Sequence, residues 1–136
     1  FKPSGQLCWQ HLLTASHPGL PTNIEVGAPV FAHGVVYFGS PVAQEEVAID
    51  ASDGQMIWQT QVQAPIGSSA AVAHHTVLVV TTTGQVFALN QKTGRIIHRN
   101  DWGGRFQATF PLVLGHTVYL ANWNGTLYAR PWSRLV

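Results

Sequence analysis

Residues 47–58 contain a hydrophobic run, a polar turn and a second strand-like run, in that order. The first run, Val47 to Ile49, ends at Asp50, and a Ser-Asp-Gly sequence follows it. Gly54 can take the positive φ that a tight turn needs, and the run after it contains Trp58. The pattern predicts two antiparallel strands joined by a tight turn.

The same pattern recurs along the chain. Residues 87–98 repeat it position for position, with Gly94 lying 40 residues after Gly54. The chain opens on the second half of the pattern, from Ser4 to Trp9, and nearly closes on its first half, at 127–130. Self-similarity with a period of about 40 residues is typical of repeat architectures.

A second block, a short hairpin, repeats with the same period. Residues 29–40 read as two β strands joined at His33-Gly34, and the block returns at 70–81 and 111–122. Its first residues, Pro29, Ala70 and Pro111, are spaced by 41 and 41 positions. The connection at 17–23, rich in Pro and Gly, is predicted to be a loop.

Together the two blocks predict an all-β fold of four-stranded units. If the strands of a unit are called A to D, the chain reads D-ABCD-ABCD-ABC, which makes twelve strands, the first at Gly5 to His11. Units of 40 to 45 residues with four strands are β-propeller blades. The repeats are placed at about 1–60, 61–99 and 100–136 of one propeller spanning 1–136.

Composition narrows the functional classes. A tenth of the residues are charged and the formal net charge is +1, which gives no basis for binding nucleic acid. Apolar runs are of strand length, so no membrane span is predicted. The first residue is Phe1 rather than Met, so we expect a processed or engineered product or a piece of a longer chain. The low charge and the Gln and Thr content favour a secreted or periplasmic setting.

The pattern Ala-x-Asp-x-x-x-Gly-x-x-x-Trp resembles the pyrroloquinoline-quinone-type (PQQ-like) β-propeller repeat. Asp50, Gly54 and Trp58 fit it best, and Ser4, Gly5 and Trp9 fit its second half. The copy with Asn90, Thr93, Gly94 and His98 carries two substitutions. The resemblance implies that the Trp packs between blades, so the predicted blade-docking residues are Trp9, Trp58, Gly54, Gly94 and Asp50. His98 holds the third docking position.

The resemblance also bears on whether the chain binds a cofactor, the quinone PQQ with a calcium ion. Dehydrogenases of this family have a vicinal Cys pair over the quinone and acidic and amide ligands for calcium. Cys8 is the only cysteine and has no such neighbour, which argues against a quinone site in this segment. We therefore assign no catalytic, cofactor or metal residue, with PQQ and calcium as the alternative if their ligands lie outside this chain.

Other chemical groups lie in predicted turns. Asp50 and Asp53 could form an acid/base pair, but Asp at a turn more often accepts backbone hydrogen bonds. His33, His74-His75 and His116 fall on one face of successive blades. They are either solvated turn residues or, if close together, a metal or pH-sensing cluster. Equivalent turns of adjacent blades are expected to lie too far apart to share a ligand.

The opposite face, made by the D–A and B–C loops, is the predicted binding surface. Loop Trp and Arg residues are the types favoured in binding hot spots. We expect this face to expose Glu25, Glu45, Glu46, Asp101, Trp102, Arg105 and Trp123, with Trp102, Arg105, Trp123, Glu45 and Glu46 as the binding residues. The alternative is that both Trp side chains pack inward beneath their loops.

These observations lead to three functional hypotheses. The first is a non-catalytic binding or scaffold propeller that presents its loop face to a protein or glycan. The second is a segment of a quinoprotein alcohol or sugar dehydrogenase, and the third is a structural module that assembles through open edges.

Closed propeller rings need about four to eight blades, so the three blades of this chain require other protein to complete a ring. Either further blades of a longer chain or a second copy, giving a six-bladed homodimeric ring, could supply it.

Overall fold

The computed structural model describes residues 5–13 and 26–135. The predicted loop at 17–23, Ser4 and Glu25 lie outside these ranges. The described residues form three antiparallel sheets, which confirms the all-β prediction of successive propeller blades. The first sheet consists of β1 (Val30–Ala32), β2 (Val35–Ser40), β3 (Glu45–Asp50) and β4 (Met56–Gln61).

The second and third sheets repeat this order along the chain. The second consists of β5 (Ala71–Ala73), β6 (Thr76–Val80), β7 (Gln85–Asn90) and β8 (Ile96–Asp101). The third has β9 (Leu112–Leu114), β10 (Thr117–Ala121) and β11 (Leu127–Pro131), followed by a 3-10 turn at Trp132–Arg134. Within the described ranges no helix has the length and apolarity needed to cross a membrane.

The turns between strands follow from the local sequence. Gly54 and Gly94 have φ of +78° and +70°, a region that L side chains avoid. Asp50 and Asn90 precede them, and their side-chain oxygens accept hydrogen bonds from backbone N–H groups of the turn, at 2.8 Å from Ser52 and 3.0 Å from Lys92. The Ser52 hydroxyl and then its backbone N–H hold the pKa of the Asp50 carboxyl below its usual value.

Two hydrophobic clusters hold the blades together. One lies between the first and second sheets and the other between the second and third. The first strands of successive blades lie side by side, β1 by β5 and β5 by β9, as they do around a propeller axis. The D–A connections also run together, with Ala108 N donating to Gly67 O at 3.0 Å. Apolar residues on both faces of the second blade are therefore buried by its two neighbours.

The predicted first strand, Gly5 to His11, is not a strand. Residues 5–13 pair with no strand in the described chain, which has eleven strands rather than twelve. A D strand forms by pairing with a C strand, and the C strand that lacks such a partner, β11, pairs only with β10 in the described chain. The third blade keeps β11 as its free outer edge.

Candidate functional site

The Trp58 indole closes the junction between the first two blades. It is 7% exposed, and its Nε1 donates to the carbonyl of Gln91 on the next blade at 2.9 Å. The ring lies against Gly94, where an added Cβ would come within 2.6 Å of the indole. Thr60, two residues on, donates its hydroxyl to Gly94 O at 2.6 Å. One Trp thus contributes buried area and a hydrogen bond across the blades.

Trp9 makes the same contacts one blade earlier. Its Nε1 donates to Ala51 O at 3.1 Å, and an added Cβ on Gly54 would lie 2.7 Å from its ring. The segment around Trp9 is therefore attached to the first blade through this side chain rather than through a β ladder. His98, in the third docking position, is exposed on β8.

The close approach at Gly94 gives a prediction. Gly94→Ala should destabilise the fold more than Gly125→Ala, by about 1–3 kcal/mol. Both glycines have positive φ, +70° and +82°, so both variants carry the same backbone strain. Gly125 has open space where its Cβ would lie, so only the Gly94 variant meets the Trp58 ring. Chemical denaturation of both variants measures the difference, and equal losses would contradict the tight contact.

Two of the predicted binding residues form an exposed pair on the loop face. Trp123, in the β10–β11 loop, is 63% exposed. The Arg105 guanidinium lies 5.9 Å from its ring centre and donates to Gln107 Oε1 at 2.6 Å. The backbone is also joined here, with Trp123 N donating to Arg105 O at 2.7 Å. We call Arg105 and Trp123 the loop-face pair; it offers an oriented cation beside an aromatic face.

Trp102 is not on this surface, and its expected exposure is wrong. Only 6% of it is exposed, and it packs between the second and third blades against Tyr128, with the Arg130 guanidinium 4.7 Å from its ring centre. Comparison of the repeats indicates this burial, because Trp102 follows strand β8 as Val62 follows strand β4, and Val62 is also buried. The alternative of inward packing therefore holds for Trp102, whereas Trp123 is exposed on the loop face as predicted.

Glu45 and Glu46 are also buried, contrary to their expected exposure. They begin strand β3 instead of lying in the loop before it. Glu45 is 6% exposed and accepts hydrogen bonds from the amides of Gln59 at 3.3 Å and Gln61 at 2.9 Å. The place of Glu46 in the next repeat is taken by Val86, a buried residue of the blade interface. Asp101, by contrast, is exposed as expected.

Glu46 is an ionisable group in an apolar interface. It is fully buried, and neither carboxyl oxygen has a hydrogen-bond partner in the described chain. Its Oε2 lies 2.7 Å from the place of an added Gly39 Cβ, and Ile66 crowds the same place. Burial raises the pKa of Glu46 to about 8, so the side chain is mostly neutral at pH 7.

These residues do not fit a PQQ–calcium site. Calcium takes several oxygen ligands, whereas Glu46 lies between blades beside Ile66 and neither of its carboxyl oxygens has a polar partner in the described chain. Cys8 is a free, exposed cysteine. In residues 5–13 and 26–135 no three His, Cys, Asp or Glu side chains are grouped as metal ligands.

The histidine turns are closer together than expected. The rings of His74 and His116, from adjacent blades, stack with centres 5.4 Å apart and planes 7° apart. Their contact arises because His74 takes the first position of its turn and His116 the second, so that the two side chains converge. His74 also bonds to Gly115 O through Nε2, at 3.0 Å.

Successive antiparallel sheets of three or four strands, with Trp58 packed on Gly94 across the first junction, define a propeller of PQQ-like repeats. Residues 43–130 match the family described as outer membrane protein assembly factor BamB, and the chain belongs to this family. It is 35% identical to the tetrathionate hydrolase of Acidithiobacillus ferrooxidans over 100 residues, which are 71% of this chain and 20% of that protein. The chain spans about a fifth of the length of the curated relatives it matches.

Solved structures show the same fold. A quinohemoprotein alcohol dehydrogenase from Pseudomonas putida superposes with a TM-score of 0.68 at 22% identity, covering 79% of this chain and 19% of that one. BamB from Moraxella catarrhalis gives a TM-score of 0.52 at 17% identity, covering 82% of this chain and 48% of that one. The predicted resemblance to the PQQ-like propeller repeat is confirmed.

Proposed function

We propose that the chain is a three-blade segment of a longer PQQ-like propeller, acting as a scaffold that presents the loop-face pair to a partner. One observation carries the first half of this proposal: the outer face of the third blade is apolar and exposed. Leu112, Leu114 and Leu127 are 54%, 68% and 68% exposed. Their counterparts in the second blade, Ala71, Ala73 and Val86, pack against the third blade.

A further blade of the same repeat fits this face because it would cover the leucines as the third blade covers Val86. We infer that the longer protein supplies it, since the chain spans about a fifth of its curated relatives. The alternative is a second copy forming a six-bladed ring. Light scattering separates the two, because the homodimer requires twice the 14.8 kDa mass of the chain.

A substitution on the outer face tests the longer propeller. In this chain Leu127→Glu should change the free energy of unfolding by no more than about 0.5 kcal/mol, because the side chain is already in water. In the full-length protein the same change should cost about 2–4 kcal/mol, because it places a charge in a blade interface. Denaturant melts of both proteins decide it, and a harmless substitution in the full-length protein would refute the further blade.

The loop-face pair supports binding of an anionic group beside an aromatic surface. Arg105 is exposed and oriented by Gln107, so it can offer a guanidinium to a carboxylate, sulfate or sulfonate of a protein or glycan partner. A periplasmic or secreted setting agrees with a family described by an outer-membrane assembly factor. The quinoprotein dehydrogenase alternative would need its cofactor ligands from other blades.

A second candidate is hydrolysis of tetrathionate by the full-length protein. The 35% identity to a tetrathionate hydrolase favours it, and tetrathionate is a dianion that Arg105 could bind. Arg105→Gln in the full-length protein should raise KM for tetrathionate severalfold, whereas Arg105→Lys should have a smaller effect. Steady-state kinetics check this. Absence of turnover by the wild type would exclude the activity and leave the scaffold role.

A further inference from the structure

A groove opens between the first and second blades on the face opposite the loop-face pair. Its volume is about 390 Å³, within the range of small-molecule sites. Val35, Tyr37 and Ile57 form apolar walls from the first blade, and His33, His75 and Lys92 provide ring nitrogens and a cation. Gln91 also lines the groove, and its amide approaches His33 Nδ1 at 3.3 Å.

The repeat shows what such a groove can hold. The place of Gln91 is taken in the third blade by Trp132: each donates its backbone N–H to the second residue of its hairpin turn, Gln91 to His75 O at 2.9 Å and Trp132 to His116 O at 2.7 Å. Trp132 is 8% exposed, and its indole meets the His74 ring edge-on at 5.0 Å. At the second blade junction an aromatic ring thus lies beside the imidazole.

At the first junction that ring is missing. His33 occupies the position of His74, and His75 that of His116. Gln91 is smaller than Trp and its amide lies against His33, which leaves the groove open. The shape that Trp132 fills at the second junction is therefore free at the first.

We propose that this groove binds a small planar aromatic carboxylate. The ring takes the place that Trp132 has at the next junction, against His33, Val35 and Ile57. The carboxylate meets the Lys92 ammonium at the exposed rim, where no counterpart cation exists in the third blade because Ser133 stands there. The site is independent of the loop-face pair, since the two lie at opposite ends of the strands.

Indole-3-acetate is the probe, with indole-3-ethanol as its uncharged match. We expect a sub-millimolar Kd for indole-3-acetate by calorimetry, with NMR shifts at His33, Ile57 and His75. Lys92→Gln should weaken indole-3-acetate about two- to fivefold and leave indole-3-ethanol unchanged. Shifts confined to the third blade, or no binding at millimolar probe, would overturn the proposal.

A pair of substitutions at Gln91 separates groove filling from loss of the amide. Gln91→Trp should place an indole in the groove and weaken binding at least tenfold. Gln91→Ala removes the same amide but leaves the groove open, so it should bind at least as well as the wild type. Circular dichroism and thermal melts verify that both fold. Equal affinities in the two variants would refute the assignment of this groove.

Discussion

Trp58→Ala should lower the free energy of unfolding by about 3–5 kcal/mol. The substitution removes an almost fully buried indole from the junction of two blades, together with its hydrogen bond to Gln91 O. The cavity would adjoin Gly94 and Tyr37, whose ring centre is 5.9 Å from that of Trp58. Neither Gly94 nor the fixed blade backbones can fill it. Denaturant unfolding with a common m-value measures the loss.

Trp123→Ala is the matched control, since it deletes the same side chain from an exposed loop. Because 63% of Trp123 is already exposed, we expect a change of no more than about 1 kcal/mol, with weaker binding of the partner. Similar large losses in the two variants would mean that Trp123 is a packing residue, and the loop-face pair would lose its aromatic member.

Glu46→Gln should remove most of the pH dependence of stability between about pH 4.5 and pH 8. The pKa of Glu46 rises from 4.5 to about 8 on folding because the carboxyl is buried without a partner. In this range the folded state holds a proton that the unfolded state has released. The free energy of unfolding therefore has its full contribution from Glu46 below about pH 4.5 and loses it as the pH rises through about 8, a total on the order of 5 kcal/mol.

Urea melts at pH 4.5, 6, 7 and 8 test this expectation. The wild type should become less stable across the series, and Glu46→Gln should be nearly flat because its amide does not titrate. Trp123→Ala should keep the wild-type slope, since it changes no ionisable group. An unchanged slope in Glu46→Gln would show that other groups cause the dependence.

The burial of Glu45 and Glu46 is the clearest difference between the sequence-based prediction and the structure. The strand pattern predicts that Glu46 lies in the exposed B–C loop, where a charged side chain is usually found. Its counterpart in the next repeat, Val86, indicates the opposite, since equivalent repeat positions share one environment. Trp102 and Val62 also occupy equivalent repeat positions, and both are buried. Comparing repeats is therefore a better guide to burial here than the type of a single residue.

The sequence by itself determined the fold class, the strand periodicity and the turns at Gly54 and Gly94. These depend on local φ/ψ preferences and on alternation of apolar residues, which are written along the chain. Only the tertiary structure decided that Glu46 and Trp102 are buried, that residues 5–13 form no strand, and that Trp132 fills a site left open beside Gln91. Those outcomes depend on which blade lies next to which, and contacts between blades such as Trp58 with Gln91 and His74 with Gly115 join residues 33 and 41 positions apart.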